Sequence, residues 1–366
     1  MPPTSAQPES LCVIRLSAIG DCCHTLPVVR TLQAAFPATP ITWVIGKTER
    51  SLLEGAKGIE FITFDKSLGM GAALNVRRQL SGRRFSIMLQ MHASMRSNLA
   101  GSFINARRRI GFDRARARDQ QWLFTNERIP ARQEQHVMDG LFEFAEHLGV
   151  EERVLRWDIP VSTADQKFAA EHASGSGPVV VISPCSSQRF RNFRNWSIEN
   201  YIGIVKHLQQ KYAARVILTG ANTELENQYA GAITEAGDHV LNLTGKTSLK
   251  QLLALIGEAD LVLCPDSGPA HMAAATGTPV VGLYATSNRH RTGPYFSQHL
   301  VADRYPAAVA DEFGKPIAEL RWGQRVRNPK AMSRITLAEV VEKVDTVLSP
   351  DYQHPQARAK LPAQEG

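Results

Sequence analysis

Short apolar runs recur along the chain, each followed by a stretch with helical spacing. Residues 11–16, 41–45, 61–64, 86–90 and 109–111 read as buried strands, with helical patterns over 25–35, 71–80, 94–104 and 136–148. Apolar strands alternating with amphipathic helices predict a parallel sheet covered by helices. The pattern shifts near 157–162, breaks at Ser174-Gly175-Ser176-Gly177-Pro178 and then restarts. Strands are expected at 179–183, 215–219, 240–242, 261–264 and 280–284, and helices at 197–212, 224–236, 249–256 and 270–276. Two α/β domains of similar construction are therefore expected, over 11–172 and 178–335. A final helix within 336–349 is marked by Leu337, Val340, Val341, Val344 and Leu348. Residues 303–334, which contain Trp and Arg, read as an irregular insertion. The lead 1–10 and the tail 350–366, rich in Pro, Gln and Ala, read as disordered.

One stretch stands out. From 261 to 284 a strand runs into Pro265-Asp266-Ser267-Gly268-Pro269, then a small-residue helix, then Gly277, Pro279 and a second strand. Ser267 suits the N-cap, Pro269 the first helical turn and Gly277 the C-terminal cap. Such a unit opens a helix N-terminus at the carboxyl end of a strand, where free N–H groups and the helix dipole attract an anion. A phosphate or sugar-nucleotide site is expected there.

Composition narrows the class. With 43% hydrophobic and 21% charged residues, the 366-residue chain reads as a soluble globular protein. No apolar run approaches the ~20 residues that a membrane span needs, and the N-terminus lacks the pattern of a secretory signal. Cys12, Cys22, Cys23, Cys185 and Cys264 form no CxxC, so reduced, buried thiols in the cytoplasm are expected. The net charge of +7 is uneven: residues 1–150 carry +6 and the rest +1. Eleven arginines and one acid, Asp113, lie between 77 and 118, giving an anion-attracting face or a solvated basic surface.

The loops after strands hold the candidate chemistry. Gly20 permits close backbone approach, and Asp21 reads either as a helix cap or as a general base for an incoming hydroxyl. The dinucleotide fingerprint GxGxxG is absent, so hydride transfer loses its main support. Ser186 and Ser187, followed by Arg189, Arg191 and Arg194, form a plausible diphosphate clamp or a polar surface loop. Glu224 could accept from ribose hydroxyls or merely complement a helix start, and Gly245, Lys246 and Thr247 supply a further turn at that edge. His271 lies one turn into the anion-site helix. No HExxH, histidine cluster or DxD is present, so neither metal nor cofactor is expected.

Together these residues resemble glycosyltransferase family 9, the ADP-heptose:lipopolysaccharide heptosyltransferases. The likeness rests on IRLSAIGDCCHTLPVVR (14–30), TWVIGKTE (42–49), SPCSSQRFRNFRNW (183–196), LTGANTELE (218–226), NLTGKTSL (242–249) and PDSGPAHMAAATGTPVVGLY (265–284). It is similar to the heptosyltransferase I and OpsX-like branch, where DEFGKP (311–316) also has a counterpart. The resemblance implies a GT-B fold of two Rossmann-like domains, acceptor in the first and donor in the second, with the last helix crossing back. It implies inverting, metal-independent transfer of heptose from ADP-L-glycero-D-manno-heptose to Kdo of the lipopolysaccharide inner core. Asp21 matches the base. Ser186, Ser187, Arg194 (commonly Lys), Glu224, Gly245, Lys246, Thr247, Asp266, Ser267, Gly268, Pro269 and His271 match the donor site. Arg96, Arg118 and His136 are the expected acceptor contacts. A monomer, peripheral to the inner face of the cytoplasmic membrane, is expected. Another sugar-nucleotide donor, a GT-B epimerase and a nucleic-acid binder are the competing readings. The last lacks interleaved aromatics and any RRM, KH or helix-turn-helix signature.

Overall fold

The computed structural model describes residues 7–69, 71–188, 190–359 and 361–362. The chain divides into two units, 1–160 and 161–366. In the first, β1 (Leu11–Ile14), α1 (Ile19–Ala35), β2 (Ile41–Gly46), α2 (Lys47–Leu53), β3 (Ile59–Phe64) and α3 (Gly71–Gln79) are followed by β4 (Phe85–Leu89), α4 (Met95–Ser102), β5 (Ala106–Gly111), β6 (Glu127–Arg128) and α5 (Val137–His147). The six strands form one parallel sheet in the order β3-β2-β1-β4-β5-β6. Every residue of β1 is buried, with Leu11 in register with Ile41 on one side and Ile87 on the other. That two-sided burial explains the unbroken apolar run of this strand.

Helix α1 starts six residues before the apolar pattern does, so Gly20 and Asp21 lie inside its first turn. It also holds Pro27, which removes one N–H donor from the helix ladder. The carbonyl of Cys23, four residues back, instead accepts from the Trp157 indole N–H at 2.7 Å. A buried acceptor freed by proline is thus paired from the end of the same unit.

The second unit contains α6 (Thr163–Ala173), β7 (Val179–Ile182), α7 (Ile198–Tyr212), β8 (Arg215–Leu218), α8 (Glu224–Ala236), β9 (Leu241–Asn242) and α9 (Leu249–Glu258). It continues with β10 (Leu261–Pro265), α10 (Gly268–Thr276), β11 (Val280–Tyr284), α11 (Arg289–Thr292), β12 (Ala302–Asp303), α12 (Tyr305–Phe313) and α13 (Leu337–Val347). Its sheet is also parallel, ordered β12-β11-β10-β7-β8-β9.

Four expectations are corrected here. The boundary falls after Pro160 rather than at 172–178, because α6 packs against α9. Its start was marked in the sequence by the capping box Ser162/Asp165. In the last helix, Val340, Val344 and Val347 of α13 bury in the core of the second unit. The insertion 303–334 is not irregular throughout, since α12 buries Tyr305, Ala308 and Val309 in that core, joined by Val326, Ala331 and Met332. The tail is packed along its described length: Ala359 N–H donates to Thr276 O at 2.9 Å and Val161 N–H to Pro362 O at 3.1 Å. Residue 360 and residues 363–366 of that tail lie outside the described residues, as do residues 1–6 of the lead. Residues 7–10 are anchored, with Thr39 Oγ1 donating to Pro8 O and Ser86 Oγ to Ser10 O, both at 2.6 Å.

Candidate active site

In the first unit the site builds from β1 into α1. Asp21 is the third helical residue, and its Oδ2 accepts from Ala18 N–H at 3.2 Å. The same oxygen is ion-paired with Arg15, whose Nη1 donates to Met91 O at 2.6 Å. Leu16 N–H donates to His92 Nδ1 at 3.3 Å. Burial, reinforced by the Arg15 charge, holds the His92 pKa down to about 4, so this ring is neutral near pH 7. Burial also raises the carboxyl of Glu49 on α2, with the Asp21 charge a lesser contribution in the same direction. Arg15, Glu49 and His92 were not singled out from the sequence. A charged residue ending the apolar run 11–14 was the available signal for Arg15.

The arginine-rich segment separates into two kinds. Arg83 is paired with Glu60, Arg108 with Glu127 and Arg116 with Asp113 and Glu143. Arg109 donates to the carbonyls of Phe124, Ile104 and Gly101, and burial lowers its pKa. These four hold the fold. Arg77, Arg78, Arg84, Arg96, Arg107, Arg114 and Arg118 are exposed, and Arg77 and Arg114 lie over the rings of Phe103 and Trp122. Arg96 and Arg118 belong to this exposed group. His136 is different: it is buried, its Nδ1 accepts from Met138 N–H at 3.1 Å, and it caps α5. Its ring meets that of His24 edge-on at 5.3 Å.

In the second unit the candidate residues gather along the carboxyl edge of the sheet. Asp266 follows β10, and Arg194 Nη1 lies 2.7 Å from its carbonyl oxygen and 3.1 Å from its Oδ2. Both side chains are largely buried. Ser267 occupies the N-cap of α10, yet its hydroxyl donates to Pro265 O at 3.0 Å instead of capping. The N-cap side chain therefore does not cap this helix, whose first turn holds Gly268, Pro269 and the buried His271. The loop after β7 folds on itself: Ser186 donates to Asn195 Oδ1 through both N–H (2.9 Å) and Oγ (3.2 Å), and Asn192 Nδ2 donates to Ser186 Oγ at 3.0 Å. Ser187 is exposed beside it. Arg189 lies outside the described residues, and the carbonyl of Arg191 accepts from Arg327 Nη1 at 2.8 Å.

At the β8 and β9 ends, Glu224 is exposed at the start of α8, while Glu226 is consumed by capping bonds from Ala221 N–H and Thr223 Oγ1. Gly245 has φ +72°, and a Cβ there would stand 2.8 Å from Asn222 Cβ, so this turn needs glycine. Lys246 Nζ donates to Asn242 O at 2.9 Å, and Thr247 is half-buried. Thr244, which opens this turn, is buried with its hydroxyl unpaired among the described residues. The five cysteines are free and buried, and burial pushes the thiols of Cys12, Cys23, Cys185 and Cys264 up to about 12, too high for nucleophiles. Among the described residues no helix is long and apolar enough to cross a membrane.

An uncapped helix start flanked by a buried arginine and a buried acid is an arrangement that can hold an anion. A lipopolysaccharide core heptosyltransferase, OpsX, of Haemophilus influenzae is 39% identical over 342 residues, covering 93% of this chain and 97% of that protein. A glycosyl transferase family 9 protein from Veillonella parvula superposes with a TM-score of 0.75 at 21% identity, over 93% of this chain and 97% of that one. The Escherichia coli heptosyltransferase WaaC with ADP gives 0.71 at 18% identity, over 92% and 99%. The last two share the GT-B fold with this chain. Residues 73–317 match the profile of glycosyltransferase family 9 (heptosyltransferase). The chain belongs to that family and is a glycosyltransferase.

Proposed function

We propose that the chain transfers heptose from ADP-L-glycero-D-manno-heptose to Kdo of the lipopolysaccharide inner core, with inversion and without a metal. The reading is carried by the Arg194–Asp266 pair beside the uncapped start of α10. It draws further support from the 39% identical OpsX relative and from the WaaC structure with ADP.

An acceptor hydroxyl attacks the anomeric carbon while Asp21 takes its proton, and the bond from that carbon to the ADP oxygen breaks. Charge then builds on the departing diphosphate. Arg194, Ser186, Ser187 and the N–H groups around Ser267, Gly268 and His271 receive it, which is the transition-state stabilisation this chemistry needs. Pro269 contributes no donor but presets the first turn. Asp266 faces the heptose. Glu224 takes the ribose, and Gly245, Lys246 and Thr247 border the nucleoside. Arg96 and Arg118 meet the carboxylates and phosphates of the acceptor, with Arg15 anchoring Asp21. The enzyme works as a monomer at the inner face of the cytoplasmic membrane, where its acceptor is embedded.

Incubation with ADP-heptose and Kdo-lipid A is expected to release ADP, and to do so in excess EDTA. No ADP release alongside consumption of another sugar nucleotide would sink the donor assignment. Loss of activity in EDTA, restored by a divalent cation, would sink the metal-free mechanism.

A further inference from the structure

The carboxyl edge of the second sheet does not end at Asp266. It continues to the loop after β11, for which the mechanism above has no use. There Thr286, Ser287 and Asn288 are each 4% exposed. Among the described residues, Ser287 Oγ and Asn288 Nδ2 have no hydrogen-bond partner. Natural proteins pair about 90% or more of buried polar groups, and leaving one unpaired costs about 1–3 kcal/mol. Two neighbouring orphans in one buried loop therefore mark a place where a partner is missing.

The loop is held so that these groups stay in position. Asn288 Oδ1 accepts from His290 N–H at 3.0 Å, capping α11, which fixes the amide and leaves its NH2 end unused. Thr292 Oγ1 lies 3.4 Å from Asn288 O and 3.4 Å from Asp266 Oδ2. Tyr284 Oη donates to Thr292 O at 3.0 Å. The loop is thus tied to the acid that ends β10.

The order of strands supplies the direction. Along the edge the order runs β9, β8, β7, β10, β11. Thr244 and Glu224 follow β9 and β8. Ser186 and Arg194 follow β7, and Asp266 with the uncapped helix follows β10. A nucleotide sugar with its nucleoside at β8 and β9 and its diphosphate between β7 and β10 carries its sugar toward β11. The two orphans lie on that side.

We infer that Ser287 and Asn288 are sugar-reading residues of the donor site, hydrogen-bonding hydroxyls of the transferred sugar beside Asp266. The Asn288 amide is a donor, Asp266 an acceptor and Ser287 either, so the three discriminate both the presence and the orientation of hydroxyls. A site built to bond hydroxyls rejects analogues that cannot satisfy it far better than an apolar pocket does. The inference rests on the reading of this edge as a nucleotide-sugar site.

The test uses the full chain and three variants: Ser287→Ala, Asn288→Ala and Asn288→Asp. The last keeps an oxygen to cap α11 and replaces the NH2 donor by a charged acceptor oxygen, while Ser287→Ala removes its hydroxyl without adding charge, so the pair separates sugar reading from loop folding. Steady-state kinetics with ADP-heptose and ADP-glucose, and calorimetric titration with ADP alone, are the measurements. Each variant is expected to raise KM for ADP-heptose by about tenfold. ADP affinity should stay within about twofold, and the preference for ADP-heptose over ADP-glucose should narrow by about tenfold or more. Unchanged KM and preference in Asn288→Asp and Ser287→Ala would overturn the inference, as would an equal loss of ADP affinity. A wild-type protein that binds no ADP would instead defeat the reading of the edge on which the inference stands.

Discussion

The starts of α1 and α10 look alike in sequence, each a small-residue loop after a buried strand with an aspartate nearby. They solve the same problem in opposite ways. At α1 the helix supplies its own acid: Asp21 accepts Ala18 N–H and is held by Arg15. At α10 the N-cap hydroxyl turns back to Pro265 instead of capping the helix, and the nearby acid, Asp266, is drawn aside by Arg194. One start presents a carboxylate, and the other presents a dipole with no carboxylate on it. A helix end that carries its own anion is already satisfied, whereas one without suits binding an anion from outside.

The contrast can be broken most severely at Asp21. Asp21→Asn is expected to lower turnover by about a hundredfold or more while the ADP dissociation constant stays within error of wild type. An active Asp21→Asn protein would remove the base. Arg194→Ala should come next, lowering kcat/KM for the donor by about 10- to 100-fold and weakening ADP itself. Arg194→Lys should recover part of the loss, since it keeps the charge without the fork geometry. A variant that binds ADP as wild type does would detach Arg194 from the phosphates. Ser267→Asp makes the second start resemble the first. A new carboxylate at the N-cap should leave the melting temperature equal or raised, by up to ~1 kcal/mol of stability, while ADP binding weakens severalfold. Stronger ADP binding would contradict the anion site.

The smallest effect concerns pH. His92 titrates at about 4 in the folded protein, against an ordinary value of 6.5. The unfolded chain therefore takes up this proton first, so stability is full above about 6.5 and falls as pH drops toward 4. Melting temperatures measured across that range should decline less steeply in His92→Gln. Identical slopes would mean that His92 is not protected by its surroundings.

Most strands of both sheets were legible because buried parallel strands are short apolar runs, whereas the two-residue edge strands β6 and β12 carry no such run and were missed. The run 261–284 was legible in its elements, though not in the bond that the Ser267 hydroxyl makes. Helix α1 was harder to delimit, since Gly20, Asp21 and Pro27 blur its pattern and the bond that compensates Pro27 comes from Trp157, far along the chain. The basic segment could not be divided in advance, because Glu60, Glu127 and Glu143, which neutralise three of its arginines, lie at distances only folding closes. The same limit explains His136: its burial against His24 is tertiary. Glu224 and Glu226 sit two residues apart, and only the hydrogen bonds of the folded loop show which of them is occupied.

The bond from Val161 N–H to Pro362 O has a consequence for how the molecule can be taken apart. It sets the first residue of the second unit beside the last described one, so that stretch of chain is a nearly closed ring with its two ends side by side. One cut after Pro160 would release the second unit, residues 161–366, whose described ends are close enough to suit rejoining. A module made this way, linear or circularly permuted, would test by ADP titration whether the second unit binds a nucleotide on its own.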